Sequence, residues 1–137
     1  MALILLIEDT VLVRITLRKF LEKAGHEVVD CAGGIEGLRL FSGQRFDLVV
    51  TDLWMQAGDG LDFIRSARSA DSGIPILAIT GGDPRSPLST SAEAARGVGA
   101  SDVVMKPVTK AALVAAVSHL LANASTQSLA KGDCIGV

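Results

Sequence analysis

The chain has 137 residues, of which 49% are hydrophobic and 20% are charged, and its formal net charge is -2. This length fits one domain with a core of its own, and the weak negative charge gives no reason to expect nucleic acid or membranes as partners. Two cysteines, Cys31 and Cys134, exclude a disulfide framework and suit a reducing compartment, so we expect a cytoplasmic protein.

The first half of the chain alternates apolar runs with amphipathic stretches. The continuous apolar run at residues 3–7 predicts a strand buried on both faces, and it is too short for a signal peptide or a membrane span. Residues 11–24 predict a helix that Gly25 stops and whose core face consists of Val13, Leu17, Phe20, Leu21 and Ala24. The next predicted elements are a strand at 28–32, a helix at 35–41 and a β-branched strand at 46–51.

The second half continues the alternation. It predicts a helix at 61–69, a strand at 75–79, a helix at 91–98, a strand at 102–105 and a helix at 109–122 with Thr109 as its N-cap. Five strands alternating with five helices indicate an α/β domain with a parallel sheet that helices cover on both faces. We therefore assign residues 1–122 to the domain and 123–137, which lack a helical or strand period, to a flexible tail.

Polar residues follow the predicted strands at the points where they end. Glu8 and Asp9 follow the first strand, Asp52 the third, Thr80 the fourth and Lys106 the fifth. Ligands of open parallel sheets bind beyond the carboxyl ends of the strands, so we expect all five side chains to meet in one cleft.

Three carboxylates in one cleft repel one another unless a cation lies among them. Mg²⁺ prefers oxygen ligands and commonly pairs with phosphate oxygens. A carboxylate beside such an ion can attack phosphorus and form an aspartyl phosphate, whose oxygens the Lys106 ammonium and the Thr80 hydroxyl would then stabilise.

Several motifs carry a resemblance to one family. They are Glu8-Asp9, the segment around Asp52 that includes Leu53-Trp54-Met55, Gly58-Asp59-Gly60-Leu61, Thr80-Gly81-Gly82, Gly99-Ala100-Ser101 and Lys106-Pro107. In this order, over residues 3–121, the chain resembles the receiver domains of two-component response regulators. The resemblance implies a flavodoxin-like, doubly wound sheet of five parallel strands in the order 2-1-3-4-5, with five helices.

The resemblance also implies a role for each polar residue. Asp52 corresponds to the phosphoacceptor, Thr80 to a switch hydroxyl, and Lys106 to a lysine that contacts a phosphoryl oxygen. Magnesium would be held by oxygen donors from Glu8 (mainly through water), Asp9, Asp52 and the backbone carbonyl of Trp54.

The chain also departs from the family pattern. Gln56 stands where the family usually has proline, which predicts a different loop, and Val103 stands where an aromatic residue often signals the switch. The stretch before Gly99 is long and contains Pro84 and Pro87, which predicts a late start for the fourth helix. The family often has a cis peptide before the proline that corresponds to Pro107.

The implied function is to accept a phosphoryl group from a histidine kinase or a phosphotransfer protein. Leu12 and Ile15 lie off the core face of the first helix and predict an apolar docking patch for this donor. The segment after Leu121 is too short for a DNA-binding module, so we expect output through a protein target, with homodimer formation left open. Catalysis would be limited to self-catalysed phosphorylation and dephosphorylation.

Two alternatives remain at the level of sequence. The first is a receiver fold that serves as an interaction module without phosphorylation. The second is a phosphohydrolase that forms an aspartyl phosphate, but Trp54 occupies the position at which such enzymes carry a second aspartate. At this position we expect the indole to shield a phosphoryl group from water.

Overall fold

The computed structural model describes residues 2–55, 60–81 and 88–136, and the side chains of 88–92 and 125–136 lie outside that description. Strands and helices alternate along the chain. Their bounds are β1 Leu3–Ile7, α1 Val11–Lys23, β2 Glu27–Cys31, α2 Gly34–Gly43, β3 Leu48–Asp52, α3 Gly60–Ala70, β4 Ile76–Thr80, α4 Leu88–Val98, β5 Asp102–Met105 and α5 Lys110–Gly136. No helix in these described ranges combines the length and apolar character that a membrane crossing requires.

The five strands form one parallel sheet in the order β2-β1-β3-β4-β5, as predicted. Ile7 lies opposite Thr51, Asp52 lies opposite Ile79, and Thr80 lies opposite Met105. The carboxyl ends of β1, β3, β4 and β5 are therefore level, and the residues that follow them share one edge of the sheet.

The sheet separates two hydrophobic cores because successive strand side chains point to opposite faces. One core joins strand residues to α1 and α5, and it includes Ile4, Leu6, Val50, Leu77, Leu17 and Leu113. The other joins the opposite strand faces to α2, α3 and α4, and it includes Leu5, Val49, Ala78, Phe63, Ile64 and Ala95. All five residues of β3 and of β4 are buried, which explains why both sequences are apolar up to the polar residues at their carboxyl ends.

Helix α1 confirms most of its predicted face. Leu17 and Leu21 are buried, and Val13 and Phe20 pack against the same core. Ala24 is exposed, so its assignment to the core face was wrong: α1 ends at Lys23 and Ala24 already caps it. The following Gly25 has φ +95, a conformation that favours glycine.

Two helices differ from their predicted bounds by three residues or more at one end. Helix α4 begins at Leu88, three residues before the predicted start, while the preceding loop with Pro84 and Pro87 lies outside the described residues. Helix α5 is capped by Thr109, whose Oγ1 accepts the Ala112 N–H at 3.1 Å, as predicted.

Helix α5 continues to Gly136 instead of ending at Ala122, through the segment that we predicted as a tail. An apolar period is needed to pack a helix but not to form one, and this segment contains no proline. The missing period was therefore a poor reason to end the helix at Ala122. That residues 123–137 are flexible stays a prediction.

Candidate functional site

Asp52 is the last residue of β3 and lies in a buried setting. Its residue surface is 3% exposed, and Glu8 and Thr80, beside it at the same edge of the sheet, are 0% exposed. Asp9 follows Glu8 and is half-buried. Buried carboxylates require paired charges or hydrogen bonds, so the neighbours of this group decide its chemistry.

Lys106 supplies the positive charge of the site. Its Nζ lies 3.0 Å from Asp52 Oδ2 and 3.2 Å from Glu8 Oε2, so one ammonium contacts two carboxylates. The Lys106 backbone N–H donates to the Thr80 carbonyl at 2.9 Å, which ties the end of β5 to the end of β4. The peptide bond between Lys106 and Pro107 is cis, as the family resemblance implies.

Gly81 leaves room for this lysine. A Cβ built at Gly81 would lie 3.4 Å from Lys106 Cδ, which is ordinary van der Waals contact with the aliphatic part of the side chain. The small residue that follows Thr80 therefore borders the aliphatic part of the side chain whose ammonium contacts Asp52. The neighbouring Gly82 lies outside the described residues.

Glu8 is held through both its backbone and its side chain. Its N–H donates to the Cys31 carbonyl at 3.1 Å, and its Oε1 accepts the Thr10 N–H at 3.1 Å. Its Oε2 is close to Lys106 but not aligned with it, so this contact is an ion pair and the oxygen lacks a hydrogen-bond partner among the described residues. The oxygen could therefore still accept a hydrogen bond from a water molecule.

Burial and mutual charge shift the protonation of the site. Burial raises the pKa of Glu8, and repulsion from Asp52 raises it further, while the Thr10 hydrogen bond and Lys106 oppose both effects. Partial burial acts to lower the pKa of Lys106, but its hydrogen bond to Asp52 and the charges of Asp52 and Glu8 outweigh burial and raise it. Lys106 therefore stays charged, while Glu8 lacks full compensation of its negative charge.

The three carboxylates fit a hard divalent cation. One oxygen each from Glu8, Asp9 and Asp52 lie within 4.8 Å of one another. An all-oxygen donor set suits Mg²⁺, and the unsatisfied Glu8 Oε2 shows that the described protein groups do not saturate the cluster.

Gly60, the first residue of α3, packs directly on the end of β3. Its N–H donates to the Leu53 carbonyl at 3.1 Å, and a Cβ at this position would overlap the main-chain oxygen of Asp52. The glycine is therefore required by close backbone approach, and it fixes α3 against the strand that carries Asp52. The neighbouring motif residues Gly58 and Asp59, and Gln56 before them, lie outside the described residues.

Large apolar side chains are exposed on the segments that follow Asp52 and Asp9. Trp54, two residues after Asp52, is 36% exposed, and Leu12 and Ile15 on α1 are 77% and 44% exposed. The exposure predicted for Leu12 and Ile15 is therefore confirmed. A groove of about 530 Å³ runs from this part of α1 to the residues around Lys106, and its lining comprises Leu12, Val13, Thr16, Leu17, Gly81, Lys106, Pro107 and Val108.

Sequence reasoning missed one contact of the site. The Arg14 guanidinium donates through Nη1 to the main-chain carbonyl of Glu8 at 2.8 Å. The available signal was weak: Arg14 lies within the first two turns of α1, next to the core residue Val13. Val103, where the family often has an aromatic ring, lies on β5 and packs against the core formed with α2, α3 and α4.

Comparisons with known proteins agree with the fold of this chain. The chain matches the family model of the response regulator receiver domain over residues 4–118. It is 34% identical over 125 residues to the transcriptional regulatory protein AfsQ1 of Streptomyces coelicolor, and the aligned region covers 91% of this chain and 53% of that protein. It is 35% identical over 122 residues to the response regulator MprA of Mycobacterium sp. strain KMS, covering 89% and 51%.

A solved structure shares the whole fold. The crystal structure of a response regulator receiver domain protein from Clostridium thermocellum has a TM-score of 0.84 and 27% sequence identity, and it covers 93% of this chain and 99% of that one. The chain spans about half the length of the curated relatives that it matches, and those relatives are named as regulators rather than enzymes.

Proposed function

Because the chain belongs to the response regulator receiver domain family, we propose that it accepts a phosphoryl group on Asp52. The donor would be a phosphohistidine of a histidine kinase or a phosphotransfer protein. The observation that carries the proposal is the contact of Lys106 Nζ with Asp52 Oδ2 at 3.0 Å, inside a cluster of three carboxylates of which two are buried. A nucleophilic carboxylate, a fixed cation and a set of metal donors are the parts that phosphoryl transfer to aspartate requires.

The residues support a simple course for the transfer. An Asp52 carboxylate oxygen attacks phosphorus, the bond between phosphorus and the donor imidazole nitrogen breaks, and its electron pair stays on the imidazole. Lys106 would move from carboxylate to phosphoryl oxygens, and the buried Thr80 hydroxyl would donate to another of these oxygens. The new position of Thr80 would shift the populations of two states of the domain.

Magnesium is the cofactor that the donor set fits best. Asp9, Asp52 and the Trp54 backbone carbonyl would hold the ion, and Glu8 would act on it mainly through water. When bound, Mg²⁺ supplies positive charge that offsets the charge on the transferring phosphoryl group. Glu8 suits an indirect role because Thr10 and Lys106 already hold its two oxygens in place.

The donor would dock on the patch formed by Leu12 and Ile15. This patch continues into the groove that ends at Lys106, so a partner seated there would be adjacent to Asp52. Exposed apolar side chains beside a reactive residue are typical of a protein-binding surface. The output would be a contact with a further protein, and the valine at Val103 predicts that it does not depend on an aromatic ring.

Phosphorylation of the intact chain tests the proposal directly. The chain is incubated with Mg²⁺ and acetyl phosphate, and intact mass is measured for the wild type, Asp52→Asn and Asp62→Asn. Asp62 is an exposed carboxylate on α3, so its variant controls for the same chemical change away from the site. We expect one added phosphoryl group on the wild type and on Asp62→Asn, and none on Asp52→Asn.

The other outcomes identify the competing functions. Repeated turnover of phosphate esters would replace the proposal with a phosphohydrolase. Absence of any addition to the wild type, with Mg²⁺ and with a phosphorylated histidine kinase as donor, would favour an interaction module that works without phosphorylation.

A further inference from the structure

We infer that Arg14 is a positioning residue for the metal site, acting through the main chain of Glu8. Its Nη1 donates to the Glu8 carbonyl at 2.8 Å, and Glu8 and Asp9 form the turn between β1 and α1. The inference rests on the proposed function, because it concerns how readily the three carboxylates take up a divalent cation.

Several interactions hold this turn in place, and the hydrogen bond from Arg14 is one of them. The Glu8 N–H is fixed by the Cys31 carbonyl of β2, and the Glu8 side chain by Thr10 and Lys106. The Glu8 carbonyl lies beyond the ladder that pairs β1 with β3, which ends at Ile7 and Thr51. The guanidinium of α1 satisfies this carbonyl and so joins the start of the helix to the end of the strand.

Fixing this turn matters because the carboxylates repel one another. One oxygen each from Glu8, Asp9 and Asp52 lie within 4.8 Å of one another, so the repulsion of like charges would carry a free turn away from Asp52. A charge-assisted hydrogen bond from Arg14 opposes that movement, because donors that carry a charge bind more strongly than neutral ones. The site would then bind a cation without first paying the entropy of ordering its ligands.

The charge of Arg14 has the opposite effect on metal binding. A positive charge near the site repels a cation, so removing the charge alone would strengthen metal binding slightly. Loss of positioning would weaken it, because partners that orient metal ligands commonly contribute roughly 10-fold to 100-fold in metal affinity. The two roles therefore predict changes of opposite sign in the same measurement.

Magnesium titration of the full chain separates these roles. The dissociation constant for Mg²⁺ is measured by calorimetry and by the fluorescence of Trp54, the single tryptophan of the chain, which lies two residues after Asp52. The variants are Arg14→Gln, Arg14→Lys and, as the matched control, Arg18→Gln. Arg18 lies one turn further along α1 and contacts Glu22 and Asp30 rather than the site.

We expect Arg14→Gln to weaken Mg²⁺ binding about 10-fold, Arg14→Lys to fall between it and the wild type, and Arg18→Gln to match the wild type. Saturating Mg²⁺ should restore phosphorylation of Arg14→Gln by acetyl phosphate, since Asp52, Thr80 and Lys106 are intact. A residue that only stabilised the fold would lower the unfolding temperature without this metal-dependent recovery.

Each remaining outcome overturns a definite statement. Equal or tighter Mg²⁺ binding by folded Arg14→Gln would overturn the positioning role while leaving the proposed function in place. If Arg14→Gln does not fold, Arg14→Lys provides the test. The positioning role would be overturned if Arg14→Lys bound Mg²⁺ with wild-type affinity and was phosphorylated at the wild-type rate at limiting Mg²⁺. Failure of the wild type itself to bind Mg²⁺ would overturn the metal site of the proposed function, and the inference with it.

Discussion

Single residues set the charge balance around Asp52. Three carboxylates and one ammonium lie together in a buried cluster, so negative charge is in excess until a cation binds. Lys106 divides its ammonium between Asp52 and Glu8, so one positive charge offsets two buried negative charges. Asp52 is consequently held in place before any donor arrives.

Trp54 is predicted to control how long a phosphoryl group on Asp52 survives. Its indole is partly exposed two residues after Asp52, and we expect it to limit the approach of water. We expect Trp54→Asn to lose phosphate about tenfold faster than the wild type, which corresponds to roughly 1.4 kcal/mol of activation free energy. The measurement is the decay of the phosphorylated species by intact mass after removal of the donor.

Trp54→Phe is the matched control, because it keeps an apolar ring while removing the indole nitrogen. Its phosphate should be lost at nearly the wild-type rate. An unchanged or slower rate in Trp54→Asn would contradict the shielding role.

At the scale of elements, α1 serves two surfaces at once. Leu17 and Leu21 bury one face of the helix against β1, β2 and α5, while Leu12 and Ile15 remain exposed on another. The helix also begins directly after the turn that carries Glu8 and Asp9. A partner that contacts its exposed face would therefore lie beside the metal donors.

Ile15 is predicted to contribute to binding of the phosphodonor. We expect Ile15→Asp to slow phosphotransfer from the cognate kinase about tenfold, because it would remove roughly 1.4 kcal/mol of binding free energy. The free energy of unfolding should change by no more than about 0.5 kcal/mol, because the side chain is substantially exposed. Transfer is measured as the initial rate of phosphoryl appearance on the chain.

Ile35→Asp provides the control for this substitution. Ile35 is 80% exposed at the start of α2, on the opposite side of the sheet from α1. Its variant should keep the wild-type transfer rate. If Ile15→Asp also kept that rate, docking on α1 would be wrong.

The elements predicted most directly from the sequence were the strands that pack against helices on both faces of the sheet. The apolar runs of β1, β3 and β4 are buried except at Leu3, as central strands should be, and their ends located the polar cluster. The sequence could not predict the contact of Arg14 with a main-chain carbonyl, since any residue type offers that acceptor. The extent of α5 was also missed, because a helix beyond the core needs no apolar period.

At the scale of the whole molecule, we expect stability to depend on pH through a histidine outside the site. His26 precedes β2, and its Nδ1 accepts the Ala2 N–H at 3.1 Å, which secures the chain just before β1. Burial lowers the pKa of His26, and the charge of the amino terminus lowers it further. The neutral ring is thus the form that the folded protein favours.

We expect the free energy of unfolding to fall as the pH falls through about 6.5, the ordinary pKa of histidine. The unfolded chain takes up a proton there more readily than the folded one, so the contribution of His26 is complete above that pH and is lost below it. Urea unfolding of the wild type and His26→Gln at several pH values between 5 and 8 measures the effect. Glutamine keeps an acceptor but does not titrate, so parallel curves for the two proteins would contradict the prediction.

The division of the interior by the sheet has a consequence for how such a chain can diverge. Side-chain volume lost from the core with α1 and α5 cannot be regained in the core with α2, α3 and α4, because only backbone lies between them. Compensating substitutions must therefore arise within one core at a time. Helix α1, which we propose to contact the phosphodonor, packs in one core, and α4 packs in the other. Substitutions that change donor specificity and substitutions that change the surface around α4 can therefore accumulate independently within one domain.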